Sequence, residues 1–81
     1  MTVLAVDIGG TKMAAGLVSV EGEILERATV PTPPGGDAEE LWAALTGLLD
    51  GFSGTTVVGV GCGGPMSAGG ETVTPLNIGG W

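Results

Sequence analysis

Pro31, Pro33, Pro34, Gly35 and Gly36 crowd one short stretch of the chain and forbid regular structure across it. They divide the sequence into two parts of different character. Before them lie three apolar runs rich in β-branched residues: Thr2 to Ile8, Met13 to Val20 and Ile24 to Val30. The links between these runs, Gly9 to Lys12 and Glu21-Gly22-Glu23, are too short for a crossover. Three consecutive strands are therefore predicted to pair as an antiparallel meander. After the break the period changes. Asp37 stands as an N-cap with Glu40 three residues on, close to a capping box. Leu41, Ala44, Leu45 and Leu48 then recur at i, i+3, i+4 and i+7, one face of a helix, with Gly51 as its expected stop. Trp42 and Phe52 are expected to pack in the core or at its edge. Thr55 to Val60 is β-branched on both faces, the pattern of a covered parallel strand. A helix that leaves a meander and returns to such a strand is a crossover, which sets the fourth strand parallel to the first. The predicted class is α/β: a mixed sheet in the order β-β-β-α-β, then a loop-rich tail in which Glu71 to Thr74 is a small strand candidate.

The chain is 81 residues long, which suits one small domain that buries only about 60 % of its unfolded surface. Its 17 glycines show no period of three and cluster at the ends of apolar runs, which points to tight loops. Nine acids face two bases, a net charge of -7 with no basic cluster. That excludes nucleic-acid binding by phosphate neutralisation. A small phosphorylated ligand stays open, because backbone N–H groups hold phosphate without side-chain charge. Cys62 is the single cysteine and there is no histidine, so neither an internal disulfide nor a zinc site is expected within the chain. Without a histidine to activate it, Cys62 reads as a partly buried filler and not a nucleophile. No signal peptide and no apolar run of about 20 residues is visible, and a cytoplasmic location is expected.

Two stretches carry chemistry. In Asp7-Ile8-Gly9-Gly10-Thr11-Lys12 the Walker A spacing is absent, yet the parts suit a phosphate. Two glycines let the main chain approach an anion, and the N–H groups of Gly10, Thr11 and Lys12 can form a concave donor site. The Thr11 hydroxyl and the Lys12 charge add to it, and Asp7 at the strand end can hold Mg²⁺ beside the phosphate. An ordinary Gly-Gly hairpin with a solvated Asp and Lys fits the same residues. The second stretch, Gly59-Val60-Gly61-Cys62-Gly63-Gly64, matches G-x-G-x-x-G, but Pro65 and two further glycines follow where the dinucleotide fingerprint needs a helix. It reads either as a loop whose backbone meets a polar ligand such as a sugar, or as a tight turn between strands. Asn77 can orient a ligand or satisfy a turn. Trp81 either folds back on the domain or marks a chain that continues.

Taken in order and together, "VDIGGTK" and "VGVGCGGPMSAGGETVTPLNIGGW" resemble the ROK family of sugar kinases and repressors, within the actin-like ATPase (ribonuclease H-like) fold. The resemblance runs over nearly the whole chain. It implies that residues 1–81 are the N-terminal part of a kinase domain whose C-terminal domain is absent here. It implies an ATP-dependent transfer of the γ-phosphoryl group to a hexose hydroxyl, the 6-hydroxyl of glucose first. By the same resemblance Asp7 is the metal-side aspartate, Gly9, Gly10, Thr11 and Lys12 meet the ATP phosphates, and Gly63, Gly64, Pro65 and Asn77 lie at the sugar. Family members often carry proline where this chain has Gly63. The implied cofactors are ATP and Mg²⁺, with zinc only in the parent protein. The partners are a nucleotide and a small sugar, with no nucleic acid and no membrane, in a homo-oligomeric parent. The catalytic base of the family lies beyond the position of Trp81, so the chain alone is expected to be inactive. A nucleotide-binding remnant and a fragment of a ROK-type regulator are the alternatives. A regulator needs a helix-turn-helix ahead of the first strand, which here begins at residue 2.

Overall fold

A computed structural model describes residues 2–52, 54–55 and 57–79 of the chain. Four strands and one helix follow one another as β1 (Thr2–Ile8), β2 (Lys12–Ser19), β3 (Ile24–Pro31), α1 (Ala38–Leu49) and β4 (Val57–Cys62). The sheet order is β3-β2-β1-β4. β1 pairs antiparallel with β2, and β2 with β3, so the short turns do form a meander. β4 pairs parallel with β1, Asp7 opposite Gly61 and Ile8 opposite Cys62. The mixed sheet with a crossover helix is as the sequence predicts.

The alternation along β1 decides which face is covered. Leu4, Val6 and Ile8 are buried while Ala5 and Asp7 are exposed. Leu4, Val6 and Ile8 stand opposite Leu17, Ala15 and Met13 of β2, and these form one face. Against it packs α1: Leu41 and Leu48 are buried in the core, and Ala44 and Leu45 of the same apolar stripe pack against it. Ile78, far along the chain, joins the same cluster and ties down the tail. Each such side chain, fully buried, contributes about 1.5–3 kcal/mol. The helix begins where Asp37 accepts a hydrogen bond from the Glu40 N–H at 2.9 Å. It ends at Leu49 with Asp50 as C-cap, one residue before the expected Gly51.

Several expectations are corrected. β4 is not a covered strand: Val58 and Val60 are 54 % and 58 % exposed. It is the edge of the sheet, and α1 lies over β2 and β3 instead. β-branched residues on both faces record what a strand tolerates, not what covers it. The strand also starts at Val57, two residues after Thr55, and runs on through Gly61 and Cys62, which the sequence placed in the loop. β2 runs Lys12–Ser19 and not Met13 to Val20, and β3 reaches Pro31, which an outer strand accommodates because its free side needs no N–H. Glu71 to Thr74 is no strand; only Val73 bridges, to Met66. Trp42 is 63 % exposed and not in the core, since it follows Leu41 directly and so falls off the buried stripe. Phe52 does pack against the core. Trp81 lies outside the described residues.

Candidate functional site at the ends of β1 and β4

β1 and β4 run parallel, so their C-terminal ends lie side by side. Each opens into a glycine loop: Gly9-Gly10-Thr11 after β1, and Gly63-Gly64-Pro65 after β4. Crevices outside the carboxyl ends of parallel strands are the usual ligand sites of α/β sheets.

The first loop is a tight hairpin. The Gly9 N–H donates to the Lys12 carbonyl at 3.1 Å. Neither Gly9 nor Gly10 has a positive φ, so neither glycine is there for a left-handed backbone. Space is the reason instead. A Cβ on Gly9 would lie 2.8 Å from the Lys12 carbonyl oxygen. A Cβ on Gly10 would lie 2.6 Å from the Asn77 carbonyl oxygen and 2.9 Å from the Asn77 Cβ. The glycines that the sequence suggested for a ligand's approach are thus already needed for the approach of the chain to itself. They bring two sequence-predicted site segments, Gly9 to Lys12 and Asn77, into contact. Asn77 is held there by its neighbours, since Pro75 and Ile78 are buried while Asn77 itself is exposed. Among the described residues the Gly10 and Thr11 N–H groups donate to no other group of the chain. Thr11 and the Lys12 side chain are exposed.

Asp7 sits one residue before the end of β1, on the sheet face opposite Ile8 and hence opposite α1. Its direct neighbours there are Ala14 and Gly61. A Cβ on Gly61 would lie 3.9 Å from Asp7 Oδ1, so the small neighbour leaves the carboxylate uncovered. Among the described residues Asp7 forms no ion pair and no side-chain hydrogen bond, and no group of three or more His, Cys, Asp or Glu could cage a metal. A lone exposed carboxylate fits Mg²⁺, which takes one or two carboxylates and fills its shell with water and substrate phosphates.

The second loop closes on the tail. The Leu76 N–H donates to the Gly63 carbonyl at 3.2 Å and the Thr74 N–H to the Pro65 carbonyl at 2.9 Å. Between them the Gly64 backbone lies directly on Thr74 and Pro75. Ser67 closes the tip, its Oγ accepting from the Thr72 N–H at 2.9 Å. No helix opens here, as the sequence reading of this G-x-G-x-x-G required; the next helical turn is a three-residue 3-10 turn at Ala68–Gly70.

Cys62 ends β4 beside Ile8, half-buried. Burial first, and the negative charge of Asp7 second, raise its thiol pKa above the ordinary value. A raised pKa keeps the thiol protonated at neutral pH, consistent with a filler and against a nucleophile. Replacing Asp7 by asparagine removes the second cause and lowers the pKa. Alkylation of Cys62 by iodoacetamide at pH 8 is then expected to speed up, in step with the larger thiolate fraction. An unchanged or slower rate would show that the Asp7 charge does not reach the sulfur.

Sequence reasoning missed Thr32. It is the one buried polar residue described, 5 % exposed. Its Oγ1 donates to the Gly9 carbonyl at 2.6 Å and its N–H to the Thr11 carbonyl at 3.0 Å. A hydroxyl set between Pro31 and Pro33, neither of which carries an N–H, was the available signal.

The profile of the ROK family matches residues 3–80. An N-acetylmannosamine kinase of Shigella flexneri is 49 % identical over 49 residues, which are 60 % of this chain and 17 % of that protein. A ROK family glucokinase from Streptomyces griseus, solved with glucose and AMPPNP, superposes with a TM-score of 0.75 at 39 % identity, over 98 % of this chain and 26 % of that one. A ROK hexokinase from Thermus thermophilus gives 0.69 at 35 % identity, over 99 % and 28 %. The chain thus spans well under a third of the length of each of these proteins. Its mixed sheet is the one these sugar kinases share, in the actin-like ATPase fold.

Proposed function

Because the chain belongs to the ROK family, we propose that the protein carrying it is an ATP-dependent sugar kinase, of which these residues form the N-terminal part of the kinase domain. The reaction is transfer of the γ-phosphoryl group to a hexose hydroxyl, with the 6-hydroxyl of glucose first and N-acetylmannosamine second among candidate acceptors. The observation that carries this reading is the meeting of the two loops: Gly10 of the first packs on Asn77 of the tail that closes the second. A site for a phosphate donor and a site for its acceptor must adjoin, and phosphoryl transfer is chiefly positioning and charge stabilisation.

In this reading the Gly9-Gly10-Thr11-Lys12 loop binds the β- and γ-phosphates through N–H groups, the Thr11 hydroxyl and the Lys12 ammonium. Asp7 would hold Mg²⁺, which would supply neutralisation of the phosphate charge. The Gly63-Gly64-Pro65 loop and Asn77 position the sugar. No residue of this chain is assigned as the base that accepts the hydroxyl proton, and the chain alone is expected to give no turnover.

The test is ADP release by the protein carrying this segment, with MgATP and with glucose or N-acetylmannosamine. Sugar-dependent release is expected with at least one of them. Release no faster than the sugar-free control with any hexose or N-acylhexosamine would overturn the reading. Asp7→Asn is expected to lower turnover about 100-fold or more, as removal of a preorganised electrostatic group does. Asp7 is exposed and unpaired, so the fold should be unaffected, which circular dichroism checks.

A further inference from the structure

We propose that Thr32 is a positioning residue of the phosphate loop, fixing the direction of two of its N–H donors from the far side of the meander. The inference rests on the reading of the loop given above and adds a residue to it. Thr32 follows β3, 23 residues from Gly9 in sequence. It holds two loop carbonyls at once, that of Gly9 through Oγ1 and that of Thr11 through its own N–H. A trans peptide unit is planar, and its C=O and N–H point in opposite directions. Fixing the Gly9 carbonyl toward Thr32 therefore aims the Gly10 N–H away from it. Fixing the Thr11 carbonyl does the same to the Lys12 N–H. No peptide bond in the described chain is cis, so the geometry applies to both. Without this clamp, two consecutive small residues, Gly9 and Gly10, would leave the first of these planes free to turn.

The two bonds separate cleanly by substitution. Thr32→Val keeps the shape and the N–H but removes the hydroxyl, releasing the Gly9 carbonyl alone. Thr32→Ser keeps the hydroxyl. In the protein carrying this segment, Thr32→Val is expected to raise KM for MgATP about tenfold, the worth of one well-made hydrogen bond. KM for the sugar should stay within about twofold, and Thr32→Ser should restore KM for MgATP. A role confined to packing predicts instead equal effects on both substrates, or loss in serine as large as in valine. Either result overturns the proposal. A second measurement stands apart from turnover. The amide resonance of Gly10 should move in Thr32→Val and not in Thr32→Ser, and MgADP should shift the Gly10 and Lys12 amides of the unsubstituted protein. A Gly10 amide indifferent to valine, or Gly10 and Lys12 amides indifferent to MgADP, overturns the proposal whatever the turnover. Absence of sugar-dependent turnover together with both amide responses would instead overturn the kinase reading and leave the clamp standing.

Discussion

In the protein carrying this segment, a Gly10→Ala variant is expected to lose sugar-dependent ADP release about 100-fold. The added carbon would meet the Asn77 carbonyl oxygen at 2.6 Å and its Cβ at 2.9 Å. Real Cβ atoms essentially never approach so closely. One of these obstacles is backbone, so no side-chain rotation on the Asn77 side removes the clash. Either the loop retreats from the tail or the tail retreats from the loop. The tail is anchored by buried Ile78 and Pro75, and the loop by the Thr32 bonds, so both movements meet resistance. A displacement of roughly 1 Å at the proposed phosphate loop suffices for a loss of that size. The overpacking should also cost about 1–3 kcal/mol of stability, read as a lower urea midpoint. Gly47→Ala is the matched control. Gly47 is an exposed helical residue with nothing within 4 Å of a Cβ, and alanine there should stabilise α1 by up to about 1 kcal/mol without affecting turnover. Normal turnover in Gly10→Ala would mean that contact between the two segments is not needed for the reaction.

The order of elements was readable because local rules dictate it. Links of a few residues permit only antiparallel neighbours, and one helix between strands permits a parallel return. The capping Asp37 was readable for the same reason, since its partner Glu40 is only three residues away. What could not be read is what depends on partners distant in sequence. Gly10 reads as room for an anion until Asn77 is found against it. Thr32 reads as part of an irregular proline stretch until its hydroxyl is found on the Gly9 carbonyl. The exposure of Val58 and Val60 is of the same kind, because a strand's residues do not state whether another strand or helix lies beyond them. The phosphate and metal residues were proposed from their chemistry and the resemblance. The structure adds the scaffold that holds them, much of which comes from residues with no chemistry of their own.

Gly64 offers the strongest separation between the two loops. Its φ of 156° leaves its backbone resting on the tail, and a Cβ there would fall on the Thr74 carbonyl oxygen, 2.7 Å from its carbon and 2.9 Å from the Pro75 Cα. All three obstacles are main chain. Alanine at this position is therefore expected to prise the loop from the tail and break the flanking bonds, Leu76 N–H to Gly63 and Thr74 N–H to Pro65. Each is worth about 1 kcal/mol. If the tail then pulls Ile78 from the core, a further cost of about 1.5–3 kcal/mol follows. The expected result is a loss of about 2–5 kcal/mol in urea unfolding, the upper end if Ile78 leaves the core. In the protein that remains folded, KM for the sugar should rise more than KM for MgATP, because the disturbed loop lies on the acceptor side of the proposed site. Gly63→Ala tests whether the effect belongs to the clash and not to the loop in general. Nothing lies within 4 Å of a Cβ on Gly63, so that variant should stay within about 0.5 kcal/mol of the original. Equal behaviour of the two variants would show that the loop yields freely, and the assignment of the second motif to sugar positioning would lose its structural basis.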